Sequence, residues 1–206
     1  MKNTLKTTLL LTLLAVAGCS QTKTNTPLSN KNLEQRAESA SDSTKRERYI
    51  RYGKGLNLID DSKYGEAIKV FQEVLSFNYP DSLLLGLTYT NIGYAYSKLK
   101  KDEEAIESYK TALRIDSLNW RAYNNLASKC QEMGNIDEAE KHAQNAIRCA
   151  KRMIVPYITL AEVQLAQGNP NDAYNTLIEG ERNCREIAPE MIKTIGEMKD
   201  KIRKRI

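Results

Sequence analysis

Small side chains recur along the middle of the chain at intervals close to the length of one helical hairpin. Ala67, Ala105, Ala139 and Ala173 each follow an acidic residue and are separated by 38, 34 and 34 residues. Two further positions per interval, twelve residues before and seven after each of these alanines, are also occupied by small residues: Gly55, Gly93, Ala127 and Ala161, then Val74, Ala112, Ala146 and Gly180. Repetition at about 20–50 residues is typical of architectures built from one repeated supersecondary unit. The pattern therefore predicts pairs of helices that approach closely at the small residues.

Larger apolar residues and turn residues fit the same hairpin pattern. The residues expected to fill the remaining gaps are Phe71, Tyr109 and Leu177 on second helices and Tyr89, Tyr123 and Tyr157 on first helices. Polar or glycine-containing segments interrupt the apolar periodicity midway through each unit, at 60–62, 101–102, 134–135 and 168–170. The Asp and Asn residues at these turns are expected to cap the helices that follow.

The chain ends in one more amphipathic segment. Met191, Ile195, Met198 and Ile202 recur at steps of four, three and four residues, which predicts a helix with one apolar stripe. We expect this helix to cap the last hydrophobic face of the array. The basic tail at 199–206 has two interpretations, a solvated helix end that favours the macrodipole or a patch that touches a membrane or a polyanion.

The N-terminus has the pattern of a secretory signal peptide. Lys2 and Lys6 precede an apolar run at 9–16, which small residues and Cys19 follow. The run is shorter than the about 20 apolar residues that a spanning helix needs. The segment Val16-Ala17-Gly18-Cys19 resembles the lipobox of bacterial lipoproteins, and this resemblance implies cleavage before Cys19 and lipid attachment to its sulfur. The alternative is an ordinary secretory signal that happens to end near a cysteine.

The hairpin pattern resembles the tetratricopeptide repeat (TPR) family. The best copy of the family motif is Tyr89-x2-Ile92-Gly93-x2-Tyr96, followed by Ala105-x3-Tyr109. The resemblance implies an all-α fold, an α-solenoid of about four helix-turn-helix repeats with a C-terminal capping helix. The domain boundaries that we predict are a signal peptide at 1–18, a lipidated Cys19 with a polar, flexible tether at 19–47, TPR repeats at 48–187 (48–81, 86–119, 120–153 and 154–187), and the capping helix with its basic tail at 188–206.

The residues indicate no catalytic chemistry. Phosphate-binding, dinucleotide-binding, zinc-protease and serine-hydrolase motifs are absent from the sequence. The single histidine, His142, is interpreted as a surface residue, and Cys130, Cys149 and Cys184 as small apolar residues, of which at most one pair can bond. A net charge of +5 does not call for nucleic acid. We predict no enzyme activity, no cofactor, no metal and no small-molecule substrate.

The TPR resemblance implies that first helices line a concave groove for a protein or peptide partner. By this resemblance the groove-lining residues are Tyr49, Tyr52, Leu56, Asn91, Tyr94, Lys98, Arg121, Asn124, Asn125 and Ser128. Tyrosine and arginine are enriched at interfaces, and asparagine amides can pair with a peptide backbone. Any single one of these side chains could instead be merely solvated. Only Asn91 and Arg121 match the set with which related domains bind chaperone C-termini, so chaperone-tail binding is not predicted.

These observations predict a membrane-anchored scaffold that binds a protein partner, for assembly of an envelope complex. One alternative is an adaptor that regulates an envelope hydrolase or protease, and another is a structural link between membrane and cell wall. Ser20 is not the Asp that marks inner-membrane retention in enteric-type lipoproteins. In a cell with two membranes we therefore expect the periplasmic face of the outer membrane rather than the inner membrane.

Overall fold

The computed structural model describes residues 43–77, 81–184 and 186–204, and over these residues the backbone forms helices without strands. The helices are α1 (Ser43–Asp60), α2 (Tyr64–Ser76), α3 (Ser82–Lys98), α4 (Asp102–Ile115), α5 (Trp120–Glu132), α6 (Ile136–Cys149), α7 (Ile154–Ala166), α8 (Pro170–Asn183) and α9 (Pro189–Arg203). The predicted signal peptide, Cys19 and most of the predicted tether lie outside the described residues. Helix α1 begins at Ser43, inside the segment predicted as tether.

The described helices pack as successive hairpins. Helix α1 pairs with α2, α3 with α4, α7 with α8, and α9 packs on α8. Helix α5 packs on α6 through Ala127 against Ala143 and Cys130 against Ala139. The chain divides within α5 into two compact units, which we call the first unit (described from 43 to 122) and the second unit (described from 123 to 204). The predicted fold class, an all-α α-solenoid of helical hairpins, is confirmed.

The small residues lie where the helices of each hairpin approach most closely. All twelve predicted positions are buried, and all of the alanines among them are 0% exposed. A Cβ atom added to Gly93 would stand 2.6 Å from Cε1 of Tyr109 and 3.0 Å from the carbonyl oxygen of Ala105. One added to Gly180 would stand 2.8 Å from Cβ of Tyr157. Large rings thus fill the space that the absent side chains leave, as the sequence pattern predicts.

All four hairpins turn by the same backbone motif. The second residue after each first helix adopts a left-handed conformation, with φ of 60° at Ser62, 61° at Lys100, 82° at Gly134 and 81° at Gly168. The next amide donates to the carbonyl five residues back, at N···O distances between 2.8 and 3.0 Å in the four turns. This is the Schellman arrangement, which satisfies carbonyls that a helix end otherwise leaves free. The second turn is therefore centred on Lys100, before the predicted position at 101–102.

The expected capping by turn residues is wrong for the second helices. Asn135 and Asn169 occupy the N-cap positions of α6 and α8 without a side-chain cap hydrogen bond. Each is also the residue whose amide closes the Schellman turn, so its backbone is fixed by the preceding helix. Side-chain caps occur instead at first helices. Asp81 accepts from the amide of Leu84 at 3.0 Å at the start of α3.

The predicted C-terminal stripe is buried. Met191, Ile195, Met198 and Ile202 are all at most 7% exposed on α9, which packs on α8. Lys199 contacts Glu181 of α8 at 2.8 Å, and Arg203 of α9 donates to the Tyr174 hydroxyl at 2.7 Å. Two cations of the basic tail are thus engaged with the neighbouring helix.

The close approach of α3 and α4 predicts the effect of enlarging Ala105, which is 0% exposed. We expect Ala105→Leu to lower the free energy of unfolding by roughly 1–3 kcal/mol, because the added methyl groups meet packed backbone and rings. Ala166→Leu, at an exposed position of α7, is the matched control and should change it little. Chemical denaturation followed by circular dichroism measures both. Equal stability of the two variants would contradict the assigned register.

The left-handed turn residues predict a stabilising change. Lys100 has φ of 61°, a conformation that glycine adopts without steric conflict. We expect Lys100→Gly to raise the free energy of unfolding by about 0.5–1 kcal/mol, the relief of strain less the added entropy of the unfolded chain. Gly134→Ala, at φ of 82°, should lower it by about 1 kcal/mol. The same denaturation assay compares them, and a loss of stability in Lys100→Gly would refute this explanation of the turn.

Candidate partner-binding surfaces

Two of the three groove residues predicted on α1 are buried in the core of the first unit. Tyr49 and Tyr52 are 4% and 2% exposed, and Leu56 packs partly buried against the same core. The Tyr49 hydroxyl donates to Asp81 Oδ2 at 3.0 Å, while the Tyr52 ring lies 5.6 Å from that of Phe71. Both rings complete the apolar core of the first unit, and their hydroxyl groups form hydrogen bonds with polar side chains.

The predicted residues of α3 form a half-buried polar and aromatic surface. Asn91, Tyr94 and Lys98 lie on one face of the helix, at spacings of three and four residues. Asn91 Nδ2 donates to the Tyr52 hydroxyl at 2.8 Å. The Lys98 ammonium stands 5.1 Å from the centroid of the Tyr94 ring, and the Tyr64 ring meets Tyr94 edge-on at 6.4 Å. These contacts hold the three side chains in place while leaving them partly accessible.

Arg121 belongs to the same surface of the first unit. Its guanidinium lies 4.5 Å from the centroid of the Trp120 ring. Burial raises the pKa of Tyr52 to about 12, and the positive charge of Arg121 and the Asn91 hydrogen bond oppose that rise. The charge of Arg121 thus acts on the same Tyr52 hydroxyl to which Asn91 donates its hydrogen bond. We call Asn91, Tyr94, Lys98 and Arg121 the donor surface.

The remaining predicted groove residues lie on α5 in the second unit. Asn125 and Ser128 are half-buried, and Ser128 Oγ donates to the carbonyl of Asn124 at 3.3 Å. Asn124 is only 5% exposed, and its side-chain oxygen Oδ1 has no hydrogen-bond partner. The role of the predicted groove residues in binding a partner stays a prediction for both units.

Glu162 on α7 is a polar residue that the sequence analysis missed. It is 5% exposed, and burial raises the pKa of its carboxyl to about 7. Its Oε1 atom has no hydrogen-bond partner. On α5, the buried ammonium of Lys129 contacts Glu132 at 2.6 Å. Glu162 is the only charged residue of α7, where residues 154–163 are all buried. A lone acid in an otherwise apolar helix is the signal that could have identified it.

Other candidate chemistry is sparse in the part of the chain that the structure describes. Cys130, Cys149 and Cys184 form no disulfide bonds with one another, and burial raises the pKa of Cys184 to about 11, so that this thiol is neutral. His142 is half-buried and its ring lies 6.1 Å from that of Tyr123. No three metal-ligating side chains cluster among the described residues. None of their helices combines the length and the apolar character that crossing a membrane requires.

Comparison with known sequences identifies the repeats. The tetratricopeptide repeat family matches residues 87–117 and again residues 121–155. The photosystem I assembly protein Ycf3 of Synechococcus elongatus is 28% identical over 139 residues, which cover 64% of this chain and 75% of that protein.

Comparison with solved structures agrees on the fold. PilF of Pseudomonas aeruginosa superposes with a TM-score of 0.64 at 19% identity, over 79% of this chain and 72% of that one. The first TPR domain of Spaghetti (RPAP3), bound to an HSP90 peptide, gives a TM-score of 0.52 at 19% identity, over 59% of this chain and 93% of that one. At these identities the likeness concerns the fold alone. Together with the buried small residues and the repeated turns, the matches show that residues 87–117 and 121–155 are tetratricopeptide repeats.

Proposed function

We propose that this protein is a lipid-anchored scaffold whose TPR helices hold a protein partner during assembly of an envelope complex. The observation that carries the proposal is the donor surface on repeat-built helices. Its amide is held by a hydrogen bond to the Tyr52 hydroxyl, its ammonium and guanidinium groups lie over aromatic rings, and all three side chains are half-buried. Such groups can pair with the backbone carbonyls and acidic side chains of an extended segment. A binding role, rather than catalysis, accounts for this arrangement.

An assembly role is favoured by the relatives. Ycf3 is named as an assembly protein, and the TPR domain of Spaghetti (RPAP3) is bound to a peptide. Holding a partner while a larger complex forms requires a preformed surface and no chemistry of its own. The stacked hairpins of this chain supply such a surface.

The anchoring part of the proposal rests on the N-terminal sequence. A basic start, an apolar run and the lipobox-like Val16-Ala17-Gly18-Cys19 favour export and lipid attachment. Several acyl chains on one residue would hold the protein stably, whereas a single chain gives marginal binding. We place the protein at the cell envelope, on the periplasmic face of the outer membrane where two membranes exist.

The donor surface is tested by capturing the partner. A tagged full-length protein is crosslinked mildly in cells and purified, and the bound proteins are quantified by mass spectrometry. We expect the double variant Lys98→Ala with Arg121→Ala to lose at least tenfold of the captured partner, because it removes both cations of the surface. Lys110→Ala, an exposed cation on the second helix α4, is the control and should retain it.

The identity of the captured proteins decides between functions. Subunits of an envelope assembly support the scaffold, whereas a hydrolase or protease supports the adaptor alternative. Recovery of peptidoglycan alone, or equal capture by the double variant and the Lys110→Ala control, contradicts the proposal.

Lipid attachment is tested at the predicted cysteine. We expect Cys19→Ser to move the protein from the membrane fraction to the released fraction, because no acyl chain can be added to serine by this route. Fractionation with immunoblotting measures the distribution, and Cys149→Ser, a thiol within the repeats, is the control. Sedimentation of Cys19→Ser with membranes to the same extent as the control would refute the anchor.

A further inference from the structure

Four exposed cations occur where the second helices of the second unit end. They lie in the last turn of α6, in the turn that follows it and in the last turn of α8, and we call them the cationic edge: Arg148, Lys151, Arg152 and Arg182. Between Glu140 and Glu162 the sequence contains no acidic residue. The segment that carries three of these cations therefore supplies no countercharge of its own.

The Tyr157 side chain connects the end of α6 with the end of α8. Its hydroxyl donates to the carbonyl oxygen of Lys151 at 3.1 Å and accepts from Nδ2 of Asn183 at 2.9 Å. Burial raises the pKa of this hydroxyl, and the charge of Arg182 opposes that rise. The turn after α6 and the last turn of α8 thus meet at one hydroxyl, so the four cations belong to one edge of the unit.

The cations of this edge are not engaged within the described part of the chain. None of the four side chains forms an ion pair, a hydrogen bond or a ring contact with another described residue. Glu179, which accepts from Asn183 at 3.3 Å, is an acid at this edge and offsets one of the four charges. Lys98 and Arg121 of the donor surface, by contrast, lie over aromatic rings. Exposed cations without a fixed partner suit an extended negative surface better than a ligand of defined shape.

The corresponding turn of the first unit has a different charge. Helix α4 also ends with a cation, but Arg114 pairs there with Glu107 at 2.9 Å. The turn after α4 contains Asp116 and no cation. Cations near any helix C-terminus favour the macrodipole, and this general effect does not account for the two additional cations in the turn after α6.

We propose that the cationic edge lies against the anionic phospholipid headgroups of the membrane to which the protein is anchored. Lysine and arginine near an anionic bilayer are attracted by its surface potential, and guanidinium groups pair well with phosphate. Ile178, which is 41% exposed one helical turn before Arg182, adds an apolar side chain of the kind that enters the headgroup region.

The inference rests on the proposed function, since the lipid anchor brings this edge to the membrane. The predicted tether between Cys19 and the start of α1 would keep the repeats within about 25–30 Å of the lipid, because a flexible chain spans roughly 5–6 Å × √n. Attraction between the edge and the headgroups then acts on a protein that is already concentrated at the surface. Several weak charge contacts are sufficient under that condition.

The edge is tested with vesicles and a protein that carries no lipid. The full-length chain is made in a cell-free system without lipid-modifying enzymes, so that Cys19 stays unmodified. Its partition onto vesicles of phosphatidylcholine alone, and of phosphatidylcholine with phosphatidylglycerol, is measured by co-flotation. All variants share the same N-terminus, so any binding through that segment is common to them.

We expect the unmodified chain to partition at least about tenfold more strongly onto the anionic vesicles, because each cation near the surface adds several-fold to the affinity. The double variant Lys151→Gln with Arg152→Gln should lose most of this preference. Lys69→Gln with Lys110→Gln, exposed cations of α2 and α4, makes the same change in net charge and should keep it. Raising the salt concentration should release the unmodified chain, a measurement that needs no variant.

Equal partition onto both kinds of vesicle, or equal loss in the two double variants, would overturn the inference. A fluorescent polyglutamate peptide is the second probe, because an acidic protein is the competing occupant of the edge. Binding of this peptide through Lys151 and Arg152, without vesicle binding through them, would also overturn it.

The result is separable from that of the proposed function. The unlipidated chain tests the edge without using Cys19 or the donor surface. Salt removes headgroup binding but not an acyl anchor, so a salt wash distinguishes the two in membrane fractions. Anchoring through Cys19 and capture through Lys98 and Arg121, without a preference for anionic vesicles, would retain the scaffold and remove the edge.

Discussion

The close contact between the two helices of each hairpin is the constraint on which the rest of the structure depends. At Gly93 the ring of Tyr109 occupies the space in which a Cβ would stand, and Ala105 is completely buried beside it. A packed interior tolerates added methylenes poorly, so these positions admit only small residues. The spacing of these small residues therefore fixes which residues of each first helix face away from the contact between the two helices of the hairpin. The donor surface is built from such residues.

The turns show how hairpins of different sequence keep one geometry. Glycine occupies the left-handed position in the third and fourth turns, whereas Ser62 and Lys100 occupy it in the first and second. The two Schellman hydrogen bonds are made in all four cases, so the backbone motif survives the strain of a side chain at that position. No glycine marks the turn at Lys100, which explains why the sequence pattern predicts this turn one or two residues too late. The small-residue spacing located the hairpin nevertheless.

What the sequence could predict depended on whether the signal was local and periodic. The small residues between paired helices recur once per hairpin, and the apolar stripe that includes Met191 and Ile195 recurs at helical spacing. Both sets are buried as predicted. The burial of Tyr52 was not predictable in this way, because it depends on Phe71 and Asn91, which belong to other helices. The missing caps at second helices have a similar cause, since the preceding turn already fixes that backbone. No local or periodic signal in the sequence indicates whether the predicted groove residues bind a partner.

The two units differ in the chemistry that they offer and in how deeply it is buried. Donor groups at Lys98 and Arg121 are half-exposed, whereas the acceptor at Glu162 is almost fully buried. Exposed charges chiefly raise the rate of encounter and are screened by salt, while buried pairs slow dissociation and impose selectivity. On the proposed function, acidic groups of a partner would therefore govern how fast it arrives at the first unit.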